Sequence, residues 1–397
     1  MKRLTNRLLL IAVPFFLFGC VKNVYDPTDK IPGEGTNPFG NVTISPDFDW
    51  TTFHTARLTV EPYDTYDGEY DYLVEVFDAD PSEGDAELLA TGTCNLYAPF
   101  SQSIVYPKNQ SDRVYIRQTD PLGHTTVSST RLEPGSEQTF AFDSFNEPEE
   151  GEGVPQDQIP ERNPVYYYTQ IVEDAFPQYG DYDFNDVVIG LRLEPVSAGA
   201  YVEKILLDIE FRALGATKRT GAYVHLPSVD PEDISRCVLR NREVSSEQAS
   251  TPVYTISDDL HELFQFQGMM INTLDSVPYR TSIKRHMEVT FKPEKVKEFT
   301  IADLDFFTVT IHHEGEKLRN EIHLRNFTYT EKGVHYKYYS KDNCVWALLI
   351  PGRFVYPTEH NFIGHAYPQI LKWVIGDTSK EEWYTQYDEG KVYLKEK

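Results

Sequence analysis

The sequence predicts a mainly β protein: an N-terminal antiparallel β-sandwich of the immunoglobulin or fibronectin kind, followed by a larger β-rich domain with few short helices. Three observations carry that reading. Short apolar runs alternate with polar residues along most of the chain, as where Ile205, Leu207, Ile209 and Phe211 sit among Lys204, Asp208, Glu210 and Arg212. Stretches rich in Gly, Pro, Asp and Ser separate the runs, as strands joined by turns require. The chain holds 26 Tyr and 23 Phe, enough large side chains to build cores that a disordered acidic chain could not.

Residues 1–19 stand apart from the fold. Lys2, Arg3 and Arg7 precede an uncharged apolar run, Leu8 to Phe18, which is a secretory signal pattern. That run of about 11 residues is too short to span a bilayer, which takes roughly 20. It ends on Leu17-Phe18-Gly19-Cys20, which resembles the lipobox of bacterial lipoproteins, with Cys20 as the acylated N-terminus and membrane anchor. Several acyl chains such as palmitate on one residue give stable attachment where a single chain would not. Val21 follows Cys20, so no aspartate stands where an inner-membrane retention signal is sought, and the expected location is the outer membrane, on its periplasmic or cell-surface face.

Removal of residues 1–19 takes away three positive charges and no negative ones, so the net charge of −25 becomes −28. A chain so acidic repels nucleic acid and anionic headgroups alike. With Cys20 lipidated, only Cys94, Cys237 and Cys344 remain, so at most one intramolecular disulfide can form.

The segment 20–43, with Pro27, Pro32, Gly33, Gly35, Pro38 and Gly40, reads as a tether. From 44 to 145, apolar positions at Leu58 and Val60, at Tyr72, Val74 and Val76, at Ile104 to Tyr106, and at Val114 and Ile116 give the strands of the sandwich. Residues 146–164 form an acidic, proline-rich linker. In 165–397 strands are expected around Ile205–Phe211, Met287–Phe291, Phe307–Ile311 and Ile322–Leu324, and one short helix at Tyr367–Val374 with Pro368 in its first turn.

The densest chemistry lies where the second domain begins. Between the strand-like Tyr166–Val172 and Val187–Ile189, the segment from Glu173 to Asp186 packs carboxylates and amides into one loop. Asp181, Asp183 and Asn185 fall at the first, third and fifth positions of a Ca²⁺ loop, and Asp186, Glu173 and Asp174 could complete a shell of hard oxygens. Cys and His are absent from the loop, which argues against zinc or copper. It is no EF-hand: Asp186 stands where Gly belongs, Arg192 where Glu belongs, and strands flank it. A turn in which the Asx side chains bond their own backbone is the other reading of the same residues.

The run Glu173-Asp174 to Gly180-Asp181-Tyr182-Asp183-Phe184-Asn185-Asp186-Val187-Val188 resembles the signature of the LruC-domain lipoproteins of Gram-negative bacteria, a C-terminal domain of unknown function. Phe211–Ala216 with Gly221–Leu226, Ile350–Pro357, and Ala366-Tyr367-Pro368 leading to Trp373 extend the resemblance over about 165–385. It implies an outer-membrane lipoprotein with a β-sandwich module before a β-rich LruC domain, and it favours a cation at Asp181, Asp183, Asn185 and Asp186. It brings no established activity. Thr217-Lys218-Arg219-Thr220 departs from the more neutral stretch of that family.

No nucleophile elbow, P-loop or dinucleotide fingerprint occurs. His261-Glu262 and His313-Glu314 lack the second histidine of a zinc-protease helix, Gln265 and Lys317 standing in its place, and the adjacent His312 and His313 would point to opposite faces of a strand. Trp50, Trp346, Trp373 and Trp383 are expected in cores rather than stacked on sugars. The expected function is a non-enzymatic binding or adhesion module ordered by Ca²⁺ and directed at a glycan, a matrix protein or another envelope component. A glycan hydrolase with paired carboxylates is the alternative, and a purely structural envelope role needs no ligand at all.

Overall fold

The computed structural model describes residues 30–144, 158, 159, 162–215, 218–266, 270–311 and 319–396. Cys20, the signal segment, most of the 146–164 linker and the His312-His313 pair lie outside the described residues.

The protein is mainly β, as its alternation predicts. Seven strands form the first unit: β1 (Phe53–Glu61), β2 (Tyr72–Phe77), β3 (Leu88–Cys94), β4 (Phe100–Pro107), β5 (Arg113–Thr119), β6 (Thr125–Arg131) and β7 (Glu137–Ala141). They make two sheets, β4-β1-β7 and β3-β2-β5-β6. Ala56, Leu58 and Val60 of β1, with Ile104 of the neighbouring β4, face Val74, Val76, Val114 and Ile116 in one buried cluster between them. Pairing is antiparallel throughout except between β1 and β7, the first and last strands, which run parallel. The chain leaves β6 for the other sheet at Leu132, and β7 then runs in the direction of β1.

The second unit is a larger two-sheet stack. Its strands are β8 (Tyr166–Val172), β9 (Val187–Ala198), β10 (Tyr201–Ala213), β11 (Arg219–His225), β12 (Ile234–Leu239), β13 (Arg242–Glu243), β14 (Val253–Ser257), β15 (Ile283–Phe291), β16 (Asp305–Ile311), β17 (Asn320–Ile322) and β18 (Ala347–Pro351). One sheet is ordered β13-β12-β15-β10-β9-β8-β18 and the other β14-β11-β16-β17. Ile205, Leu207, Ile209 and Phe211 of β10 and Met287 and Val289 of β15 meet Ala222, Val224 and Phe306 of the facing sheet in the main core. The alternation of β10 reads this directly, since its outward residues Glu203 and Asp208 are exposed. The expected helix at Tyr367–Val374 contains one helical turn, Ile370–Trp373, preceded by another at Ile363–Ala366.

A second aromatic core lies where this C-terminal segment covers the sheet. Trp50, Trp373 and Trp383 pack there with Phe39, Tyr182, Phe184 and Tyr356. Trp346 is equally buried, so all four indoles are core residues. Phe39 belongs to the segment read as a tether and Trp50 to the one read as the start of the sandwich. From Lys30, which bridges to Tyr336, through Trp50, whose Nε1 donates to Asn343 O at 2.8 Å, the chain lies on the larger unit. Cys94, Cys237 and Cys344 are free and buried in three different clusters, and so cannot pair. No described helix is long and apolar enough to cross a membrane.

Candidate metal centre

The acidic loop joins β8 to β9, two adjacent antiparallel strands paired from Tyr166–Leu193 to Val172–Val187. Within it, Tyr182 and Phe184 take left-handed backbone angles, φ 55° and 54°, which bulky residues rarely adopt. The alternation has a purpose in packing. Both rings are wholly buried in the second aromatic core, 5.2 Å apart and edge to face, so Asp181, Asp183 and Asn185 fall on the opposite side of the loop. Burial of two aromatic rings, each contributing a few kcal/mol, outweighs about 1 kcal/mol of strain at each backbone position.

Glu173, Asp181 and Asp183 bring one carboxylate oxygen each within 4.8 Å of one another. Glu173 Oε1 accepts the Phe184 N–H at 2.6 Å, while Oε2 is buried with no hydrogen-bond partner among the described residues. That free oxygen lies over Gly180, where any Cβ would collide with it. Asp183 accepts from the Asn185 and His360 backbone N–H groups at 3.2 and 2.8 Å. Asn185 Nδ2 donates to Pro357 O at 3.2 Å, which leaves Oδ1 buried and unpartnered. Glu359 Oε2 is likewise unpartnered, and it and Asn185 Oδ1 both crowd the space a side chain at Gly215 would need.

Asp174 and Asp186 are turned to other work. Asp186 Oδ2 accepts the Asp174 N–H at 2.7 Å, closing the loop on itself. Lys218 Nζ, from the basic stretch noted in the sequence, reaches Asp174 O at 2.9 Å and Asp174 Oδ1 at 3.1 Å. The structure therefore brings Glu173, Asp181 and Asp183 of the loop together, sets Asp181 also within 4.8 Å of Glu359 and His360 from far along the chain, and places Asn185 Oδ1 and Glu359 Oε2 on the same space at Gly215. His360 joins the outer edge, its exposed ring 3.1 Å from Asp181 Oδ2. The sequence showed no sign of either residue: Thr358-Glu359-His360-Asn361 has no ligand spacing and is brought in only by the folding of the C-terminal segment.

Lys218 pairs with Asp174 and His360 lies against Asp181 at the edge, but the buried carboxylates between them face chiefly one another. Burial, then Asp186, Asp183 and Asp181, pushes the Glu173 carboxyl well above the usual carboxylate range. Burial, then Asp181 and Glu359, raises Asp183 to about 8. Asp186 is raised well above the ordinary value by burial and Asp174, and Glu359 is raised chiefly by burial. Buried carboxylates left to themselves take up protons. A cation among them would supply the missing charge and hydrogen-bond equivalents at once. The buried donors are all hard oxygens, which suits Ca²⁺ with its six to eight oxygen ligands better than zinc.

Residues 200–384 match a family model described as a domain of unknown function (DUF4842). No curated protein matches the chain. Among solved structures, a "putative lipoprotein" from Bacteroides ovatus is similar at a TM-score of 0.57, with 18% sequence identity, over 81% of this chain and 99% of that one. At that identity the likeness is one of fold.

Proposed function

We propose that the chain is an outer-membrane lipoprotein, anchored through Cys20, whose larger unit binds Ca²⁺ through Glu173, Asp181, Asp183, Asn185 and Glu359. The cation fastens the β8–β9 loop to the C-terminal segment, and the protein so ordered serves as a binding module of the cell envelope. The anchor reading is supported by the signal pattern ending at Cys20 and by the printed name of the Bacteroides ovatus neighbour. One observation carries the Ca²⁺ reading: Glu173 Oε2 and Asn185 Oδ1 are wholly buried beside Asp183 and have no hydrogen-bond partner among the described residues. An Asx-rich turn satisfied by its own backbone would not leave those atoms bare.

Calorimetric titration of the chelator-treated protein with Ca²⁺, paired with thermal melting, tests this. Binding at a hundredfold excess over Kd stabilises by about 2.7 kcal/mol, which raises the melting temperature by roughly 5 °C or more for a unit of this size. Glu173→Gln is the informative variant. It keeps the acceptor for the Phe184 N–H, places an amide where the bare oxygen points, and removes one charge. It should be at least as stable as the parent without Ca²⁺ and should lose the Ca²⁺ response. A parent protein that neither takes up heat nor shifts its melting with Ca²⁺ would sink the proposal, as would a Glu173→Gln protein that responds like the parent.

A further inference from the structure

The free end of the β-sandwich carries a second surface, remote from the acidic centre. β1 begins at Phe53, whose ring lies 6.0 Å from Tyr168 of the larger unit. It ends at Glu61, eight residue steps and roughly 26 Å further on. Three loops gather at that far end: 62–71 between β1 and β2, 95–99 between β3 and β4, and 120–124 between β5 and β6. They are bound to one another. Tyr66 OH donates to Asp120 Oδ2 at 3.1 Å, Asn95 Nδ2 donates to Asp71 Oδ1 at 2.8 Å, and the Tyr97 ring lies against Gly68.

This end gathers five exposed large hydrophobic side chains on three adjoining loops. Tyr97 is 76% and Tyr70 50% exposed, and Tyr63, Leu96 and Leu122 are exposed beside them. The rings are held in place rather than loose. Tyr70 packs edge to face on Tyr66 at 5.3 Å, and Tyr66 is itself fixed by Asp120. Asp64 accepts from the Tyr66 and Gly68 N–H groups and from Tyr72 OH, and Asp120 accepts from the Leu122 and His124 N–H groups. Those two carboxylates build the loops. Asp67, Glu69 and Asp71 are exposed, and the three loops contain no Lys or Arg.

From this juxtaposition we infer that the sandwich tip binds a polypeptide segment carrying Lys and Arg side chains. Tyrosine faces attract cations and stack on guanidinium planes. The exposed carboxylates lie among the same rings, and loops already fixed in place lose little freedom on binding. A neutral sugar would use the ring faces but would gain no charge pairing from the three exposed carboxylates, while an anionic polymer or headgroup would be repelled. The inference does not depend on Ca²⁺, whose site lies in the other unit.

The experiment is an anisotropy titration of the full chain with a labelled arginine-rich peptide at physiological ionic strength, run beside a neutral β-glucan oligosaccharide. Tyr70→Ala and Tyr97→Ala should each weaken the peptide about three- to fivefold, and Asp67→Asn with Glu69→Gln by a similar factor, with melting temperatures unchanged. Glu203→Gln with Glu232→Gln, exposed carboxylates on the larger unit, should leave affinity as it was. The inference is overturned if removal of either tyrosine leaves peptide affinity intact, or if the remote charge variant weakens the peptide as much as the local one, since binding would then be a matter of overall charge. It is equally overturned if the oligosaccharide binds more tightly than the peptide and loses that affinity with the same two rings.

Discussion

His323 is a buried residue whose charge the fold depends on. Its Nδ1 lies 2.7 Å from Asp305 Oδ2 and its Nε2 3.2 Å from Glu321 Oε2, and the same Asp305 oxygen lies 2.9 Å from His225 Nδ1. The imidazole is stacked at 4.3 Å on Phe307. Burial alone would lower its pKa, but Asp305 and Glu321 outweigh burial and raise it to about 9. Burial likewise pushes Asp305 up, yet His323 and His225 hold it below the ordinary range. Because the folded-state value lies above the unfolded one of about 6.5, the stabilisation is complete below pH 6.5 and is lost as pH rises through 9. Melting temperature measured at one fixed Ca²⁺ concentration should fall across that window. His323→Gln should cost a few kcal/mol at pH 6, because it removes the positive charge shared by two buried carboxylates, leaving Asp305 to His225 and Glu321 to Arg319 and Thr330, and should flatten the pH dependence. Parallel curves for parent and variant would remove His323 as the source.

At the scale of elements, the strands were legible and the C-terminal wrapping was not. β10 and β15 announce themselves because one face of each meets the core and the other meets water, so the period of two survives in the sequence. The four indoles were rightly placed in cores on the frequency with which a β domain buries tryptophan. The segment from Gly352 to Glu396 has short one-turn elements and no sustained period, since its aromatic residues fill gaps from irregular backbone. Glu359 reaches the acidic centre by that route, and so it carries no local signal. The same wrapping explains a charge buried in β10. Arg212 is 1% exposed, and its Nη2 lies 2.5 Å from Glu396 Oε2 and donates to Phe354 O at 2.9 Å. Glu396→Ala leaves that guanidinium inside the fold without its carboxylate, which should cost about 3 kcal/mol in denaturant unfolding. A loss under about 0.5 kcal/mol would mean that Glu396 contributes little in solution.

For the whole molecule, a lipid on Cys20 would make the position of Lys30 the limit on how far the protein stands from a membrane. The chain from Lys30 to Trp50 is packed on the larger unit, and that unit also holds the root of the sandwich: Thr52 Oγ1 donates to Leu349 O at 2.5 Å, and Glu298 accepts from Arg57 Nη2 at 2.5 Å and the Ser103 N–H at 2.8 Å. Only eleven residue steps separate Cys20 from Ile31, a span of at most about 40 Å even when fully extended. If Cys20 carries the lipid, Ile31 and the surface around it stay within that distance of the bilayer. Ile31 is exposed, whereas Cys94, Cys237 and Cys344 are buried with thiols raised by burial to about 12, so a thiol-reactive dye on Ile31→Cys marks one position. In vesicles holding the lipidated protein, that dye should transfer energy to an acceptor in the headgroup layer. Adding Cys20→Ser should abolish both membrane association and transfer. A Cys20→Ser protein that stays on the membrane would place the anchor elsewhere, and a lipidated protein showing no transfer at Ile31 would contradict the short reach that the docking of Lys30 imposes.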